Sequence, residues 1–123
     1  MVESVSVAST ATSSPVITLK NGGFITANND GTSTNPALIR AVSSTYGLHL
    51  DIQNGGTLTL DHANLRDVAW DTTTESALYI GNGATLNMMD SANIYGASAN
   101  ADEMATVKIQ GGSANIQASS IIN

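Results

Sequence analysis

Gly55-Gly56-Thr57-Leu58-Thr59-Leu60, Gly83-Ala84-Thr85-Leu86-Asn87-Met88 and Gly111-Gly112-Ser113-Ala114-Asn115-Ile116 overlay without gaps at a constant spacing of 28. Within each stretch apolar residues fall at every second position: Leu58 and Leu60 alternate with Thr57 and Thr59, Leu86 and Met88 with Thr85 and Asn87. A period of two belongs to a strand with one buried face, not to a helix. The leading glycines supply the positive φ that a tight corner demands. Working outward, Leu48-His49-Leu50-Asp51-Ile52, Leu78-Tyr79-Ile80 and Val107-Lys108-Ile109 precede the three copies as further alternating segments. Ile109 stands one position closer to its glycines than Ile52 or Ile80 does, which reads as a single deletion in a turn.

Val16-Ile17-Thr18-Leu19 reads as a fourth copy, one period plus 13 ahead of Thr57-Leu58-Thr59-Leu60, with the extra length expected in 40–49. A second apolar position follows each copy, at Ile25, Leu65, Ile94 and Ile121. Three short strands and their corners in about 28 residues cannot bury an apolar face alone, but stacked copies can, which is the logic of a solenoid. The expected fold is therefore all-β: a single-stranded parallel β-helix, a pectin-lyase-like solenoid of about four coils, right-handed and with three sheets. Residues 1–15 read as a lead-in or incomplete first rung, to which Val2, Val5 and Val7 contribute, and 16–123 as the coils, cut off in mid-rung. Stacking places Ile17, Leu58, Leu86 and Ala114 in one inward column, and Leu19, Leu60, Met88 and Ile116 in the next. Asn54, Asn82 and Gln110 are positioned for an amide ladder, and Asn64, Asn93 and Ser120 for a second polar row, but the expectation is the simpler one, that all of these residues build turns.

The chain has 123 residues, one domain's worth. Four Lys+Arg stand against ten Asp+Glu, a net charge of −6, and the four cations Lys20, Arg40, Arg66 and Lys108 are scattered along the sequence. Clustered cations are what a phosphate backbone needs, so nucleic acid is not an expected partner. Charged residues make up 11%, against about 25% in ordinary soluble domains, and Ser, Thr, Asn, Ala and Gly take their place. No apolar run approaches the roughly 18 residues of a membrane span. The stretch from Met1 to Ser14 lacks the basic start and continuous apolar segment of a signal peptide.

Ile17-Thr18-Leu19-Lys20-Asn21-Gly22-Gly23-Phe24-Ile25-Thr26-Ala27, Asn54-Gly55-Gly56-Thr57-Leu58-Thr59-Leu60 and Ala77-Leu78-Tyr79-Ile80-Gly81-Asn82-Gly83-Ala84-Thr85-Leu86 resemble the passenger-domain repeats of bacterial autotransporters, the pertactin-like and adhesin-type β-helices. The resemblance covers roughly residues 16–123. It implies export through the outer membrane by a C-terminal β-barrel that this stretch does not contain, followed by display at the bacterial cell surface or secretion.

Chemistry on such a fold needs carboxylates or bases projecting from neighbouring rungs. The densest acidic group is Asp67, Asp71 and Glu75, beside Trp70, the only tryptophan. Paired carboxylates are the glycosidase arrangement, and an exposed indole stacks on sugars or anchors a protein contact. The simpler reading is a solvated loop with Trp70 covering a corner. His49 and His62 stand 13 apart with no ligand at metal spacing, and there is no cysteine and no Gly-x-Ser-x-Gly. No catalytic group, metal or cofactor is expected. Loops 28–36, 67–76 and 97–104 are expected to leave one corner and form a shared edge, with Trp70 in the middle loop and Tyr46 in the insertion at 40–49. A second candidate surface is the outward row Thr57, Thr59, Thr85, Asn87, Ser113 and Asn115, with Val16 and Thr18 below it. The expectation is a non-enzymatic adhesion or self-association segment whose partner is a second copy, a host or cell-surface protein, or a glycan. A carbohydrate-active or carbohydrate-binding β-helix and a phage tail-spike or fibre segment are the alternatives.

Overall fold

The structure, a computed structural model, describes residues 4–7, 16–20, 22–28, 35–41, 47–70, 74–96 and 105–122. It is a parallel β-helix of four coils preceded by one further strand. That strand is β1 (Ser4–Val7). The first coil is β2 (Val16–Leu19), β3 (Phe24–Asn28) and β4 (Ala37–Ala41), and the second is β5 (His49–Ile52), β6 (Thr57–Asp61) and β7 (Ala63–Val68). The third coil is β8 (Ser76–Ile80), β9 (Thr85–Met89) and β10 (Asn93–Gly96), and the fourth is β11 (Ala105–Ile109), β12 (Ser113–Ile116) and β13 (Ser120–Ile122). No helix occurs among the described residues, hence none long and apolar enough to cross a membrane.

Stacking generates three parallel sheets. Sheet one is β2-β5-β8-β11, sheet two is β3-β6-β9-β12, and sheet three is β1-β4-β7-β10-β13. The alternation expected from the repeated phrases sets the inward columns. In sheet one Ile17, Leu50, Leu78 and Val107 stack, as do Leu19, Ile52, Ile80 and Ile109. In sheet two the columns are Ile25, Leu58, Leu86 and Ala114, then Ala27, Leu60, Met88 and Ile116. In sheet three Ile39, Leu65, Ile94 and Ile121 align, and the backbone of β1 continues the register with Val5 beside Ile39. The inward leucines, isoleucines and Met88 of the second and third coils are fully buried.

The first coil corrects the sequence reading. Val16-Ile17-Thr18-Leu19 does not stack under Thr57-Leu58-Thr59-Leu60; it pairs with His49–Ile52, and Phe24–Asn28 lies against Thr57–Asp61 instead. Ile25 accordingly belongs to the Leu58 column, and Ile39 is the counterpart of Leu65. The extra length does not sit in 40–49 either. Nine steps from Asn28 to Ala37 replace the two from Asp61 to Ala63, so the first coil is lengthened at 29–36. Alternation identifies the face of a strand, but two alternating segments on either side of an Asn-Gly corner satisfy it equally well.

Each corner is built differently. Between sheets one and two, Asn54 (φ 48°) and Gly55 (φ 79°) both take positive φ, the requirement of a type I′ turn, and the Gly56 N–H donates to the Gln53 carbonyl at 2.9 Å. Backbone bonds run through this corner from coil to coil: Gln53 N–H to Leu19 O, Gly81 N–H to Ile52 O and Gln110 N–H to Ile80 O, at 2.7–2.8 Å. The stack is thereby joined through backbone bonds, and Asn54 and Asn82 stand exposed at their turns, as expected of turn residues. The one-residue deletion before Ser113 is present, since Ile109 pairs with Ile80 and Ser113 with Thr85. Between sheets two and three the left-handed residues are not glycines but His62, Asp90, Ser91 and Ala118. Between sheets three and one, the Leu48 N–H donates to Asp67 O at 2.8 Å and the Ala69 N–H to Leu48 O at 2.9 Å, tying the connection that enters the second coil to the one that leaves it.

Candidate functional site

The outward faces of the three sheets carry the polar side chains. In sheet two, strand register brings the expected ladder together. Thr57, Thr85 and Ser113 form one row and Thr59, Asn87 and Asn115 the next. Their lower neighbours are Phe24 and Thr26, not Val16 and Thr18. Oγ atoms of Thr85 and Ser113 lie 3.4 Å apart, and the Asn87 amide donates to Thr59 Oγ1 at 3.4 Å. Neighbouring positions sit ~4.8 Å apart between strands and ~7 Å apart along them. Within these two rows there is no formal charge; Asp61 stands at the edge. Phe24, 75% exposed, extends the first row with an aromatic ring.

Of the acidic group, Asp67 and Glu75 lie among the described residues. Asp67 is not a loop residue. It lies in β7, in the left-handed region (φ 59°), where the pairing with β10 slips: Leu65 faces Ile94 and Val68 faces Gly96, so one extra residue is accommodated as a bulge. Its carbonyl serves the Leu48 N–H. Glu75, also left-handed (φ 55°), directs its carboxylate to Lys108 Nζ at 3.0 Å. Trp70 is half-buried just after β7 and in contact with the rest of the chain. Asp71 and Tyr46 lie outside the described residues. The loops do not share one corner: 29–36 joins sheet two to sheet three, whereas 69–75 and 97–104 join sheet three to sheet one. Among the described residues no three His, Cys, Asp or Glu side chains are placed to hold a metal ion.

Sheet one holds a polar cluster that sequence reasoning missed. Alternation turns His49, Ala77 and Thr106 outward, yet all three are buried, His49 with 2% exposure. His49 Nε2 lies 3.3 Å from Thr74 Oγ1, which in turn receives the Ser76 hydroxyl at 3.4 Å. His49 Nδ1 is buried without a hydrogen-bond partner among the described residues. A His-Thr-Ser chain is the raw material of a nucleophile relay, but His49 and Ser76 are buried too deeply for a substrate to reach. Further along the same face, Asp51 accepts the Gln53 amide with both oxygens at 2.6–2.7 Å.

On sheet three Asn64, Asn93 and Ser120 form a polar row and not merely turns. Asn93 pairs with Asn64 and Ser120, and its amide donates to Asn64 Oδ1 at 3.1 Å and to the Ser91 carbonyl at 2.8 Å. On the same sheet Arg40 and Arg66 are direct cross-strand partners. Cations that are far apart in sequence are thus neighbours in space. Compared with known proteins, the chain matches no family model, no curated protein and no solved structure.

Proposed function

We propose that this β-helix is a non-enzymatic segment of a bacterial surface-displayed or secreted protein, of the autotransporter-passenger kind, that acts in adhesion by self-association. The observation that supports the reading is the outer face of sheet two. A chain of net charge −6 repels its own copies, and the rows Thr57/Thr85/Ser113 and Thr59/Asn87/Asn115 offer a flat face across which two copies meet without opposing charges. Hydroxyls and amides on both sides exchange hydrogen bonds, and Phe24 adds apolar area at the end of the array. The reading assigns no chemistry to Asp67 or Glu75, whose carbonyl and carboxylate respectively are engaged within the fold.

The test is a pair of lysines in the array, Thr59→Lys with Asn87→Lys, at positions on the outward face. Displayed on bacteria, the parent sequence is expected to clump cells and the doubly substituted one to leave them dispersed, with far-UV circular dichroism unchanged. Equal clumping by both, or a purified parent that sediments as a monomer at every concentration, would remove the self-association reading.

A further inference from the structure

Arg40 and Arg66 face each other in register across β4 and β7. Both are exposed, and the residues before them, Ile39 and Leu65, are buried, so the two guanidinium side chains leave the same outer face of sheet three. Like charges directly opposite one another on adjacent strands, ~4.8 Å apart, are unfavourable. In a protein with ten acidic residues and four basic ones the usual relief is an ion pair. Among the described residues the ion pair formed is Lys108 with Glu75, and neither arginine has a carboxylate partner there. Two of the four cations therefore stand side by side on the outer face of sheet three, and no described carboxylate pairs with them.

Tyr95 follows Ile94, the partner of Leu65, just as Arg66 follows Leu65, and it pairs onward with Ile122. The Arg66 guanidinium lies 4.9 Å from the centroid of the Tyr95 ring. That contact holds the guanidinium plane in place while its N–H groups remain available at the rim, the fork geometry that matches carboxylate and sulfate. The neighbouring row contributes the Asn64 amide N–H groups, the Asn93 Oδ1 and the Ser120 hydroxyl, the Asn93 N–H groups being given to Asn64 Oδ1 and the Ser91 carbonyl.

We propose that the outer face of sheet three is a binding site for an acidic polysaccharide, with Arg40 and Arg66 receiving its carboxylate or sulfate groups and Tyr95 supporting a sugar ring. The charge of the pair calls for an anion. The arrangement of aromatic, amide and hydroxyl groups beside it fits a sugar better than an acidic peptide or a bare phosphate. A solenoid repeats its rows along one axis, so the site is a line, suited to a linear polymer with an anionic group on successive units. At physiological salt the screening length is ~8 Å, so such a strand senses the arginine pair while the acidic remainder of the molecule is damped. The inference stands independently of the sheet-two reading, because the two faces share no residue.

Isothermal titration of the whole chain with size-matched oligosaccharides tests it: oligomannuronate carries carboxylate, dextran sulfate carries sulfate, and unmodified dextran carries neither. Binding to at least one charged oligosaccharide and none to dextran is expected, and comparing the two charged probes identifies the preferred anion. Arg40→Gln and Arg66→Gln are each expected to weaken binding about tenfold, the loss of one charge-assisted contact. Tyr95→Ala is expected to weaken it severalfold, with Tyr95→Phe close to the parent. Should Arg66→Gln fail to fold, Arg66→Lys keeps the charge, loses the fork, and is expected to bind more weakly than the parent. The Thr59→Lys, Asn87→Lys variant is expected to bind as the parent does, whether or not it clumps cells. Dextran binding as well as the charged probes, retained affinity in both glutamine variants, or inorganic sulfate alone binding as tightly as the oligosaccharide would each overturn the proposal. So would loss of self-association in the arginine variants without any glycan binding by the parent, which would assign the pair to a second copy.

Discussion

The third and fourth coils carry the same phrase and differ in what surrounds it. Leu86 and Met88 in β9 are fully buried, with Leu58 and Leu60 on one side and Ala114 and Ile116 on the other. Ile116, stacked on Met88, remains 44% exposed, and Ile109, Ile121 and Ile122 of the same coil are also exposed. A strand in this fold is stabilised by its neighbours, so an identical alternating pattern is worth different amounts at different places in the stack. Among the described strands β9 lies between β6 and β12, and β12 pairs with β9.

Leu86→Ala is the sharpest way to break that comparison. Removing a fully enclosed side chain leaves a cavity, and the expected loss is about 3 kcal/mol or more; Ile116→Ala, already partly in water, is expected to cost about 1 kcal/mol. Urea midpoints of the two variants measure the difference. Equal losses would mean that the fourth coil is as well packed as the third.

A smaller effect comes from the corners. Gly47 has φ 35°, and a Cβ there would collide with the Ala69 Cβ and stand 2.7 Å from the Asp67 carbonyl, against backbone that is clamped between coils. Gly47→Ala is expected to cost roughly 2 kcal/mol or more through overpacking. In the first coil, a methyl group added at Gly22 (φ 79°) would meet nothing within 4 Å among the described residues, so Gly22→Ala carries only the left-handed backbone penalty of about 1 kcal/mol. Thermal midpoints separate a corner packed on its neighbour from one open on that side.

The smallest effect belongs to the ion pair linking the third and fourth coils. Glu75 is 71% exposed in its pair with Lys108, and Glu75→Gln is expected to lower stability by less than about 1 kcal/mol. Amide exchange in β11 is the sensitive readout, because local opening of the fourth coil exceeds any shift in global stability.

Much of this fold was legible in the primary structure. The period of two in Thr57-Leu58-Thr59-Leu60, its recurrence from Thr85 and again from Ser113, and the Asn-Gly corners lead directly to parallel coils. The first coil was harder, because its two strands straddle Lys20-Asn21-Gly22-Gly23 and either could be laid under Thr57. Hydrogen bonding through the corner selects Phe24–Asn28. Of the candidate surfaces, the Thr/Asn rows were recoverable because they lie within the regular repeat. The placement of Asp67 and Glu75 was not, since Asp67 is the extra residue of a bulge and Glu75 answers to Lys108, 33 residues away. The arginine pair was overlooked because its spacing of 26 departs from 28. Testing the position of each charge against all observed offsets between alternating segments would have raised it.

By itself the sequence determined the strand type, the inward and outward faces and the stacking of coils, because these follow from local alternation and from corners that need left-handed residues. Only the tertiary structure decided which segments share a sheet in the first coil, that His49 is buried on an outward face, and that Arg40 and Arg66 are neighbours. Those outcomes depend on the lengths of the connections between strands, which slide one coil against the next without altering the alternation within either.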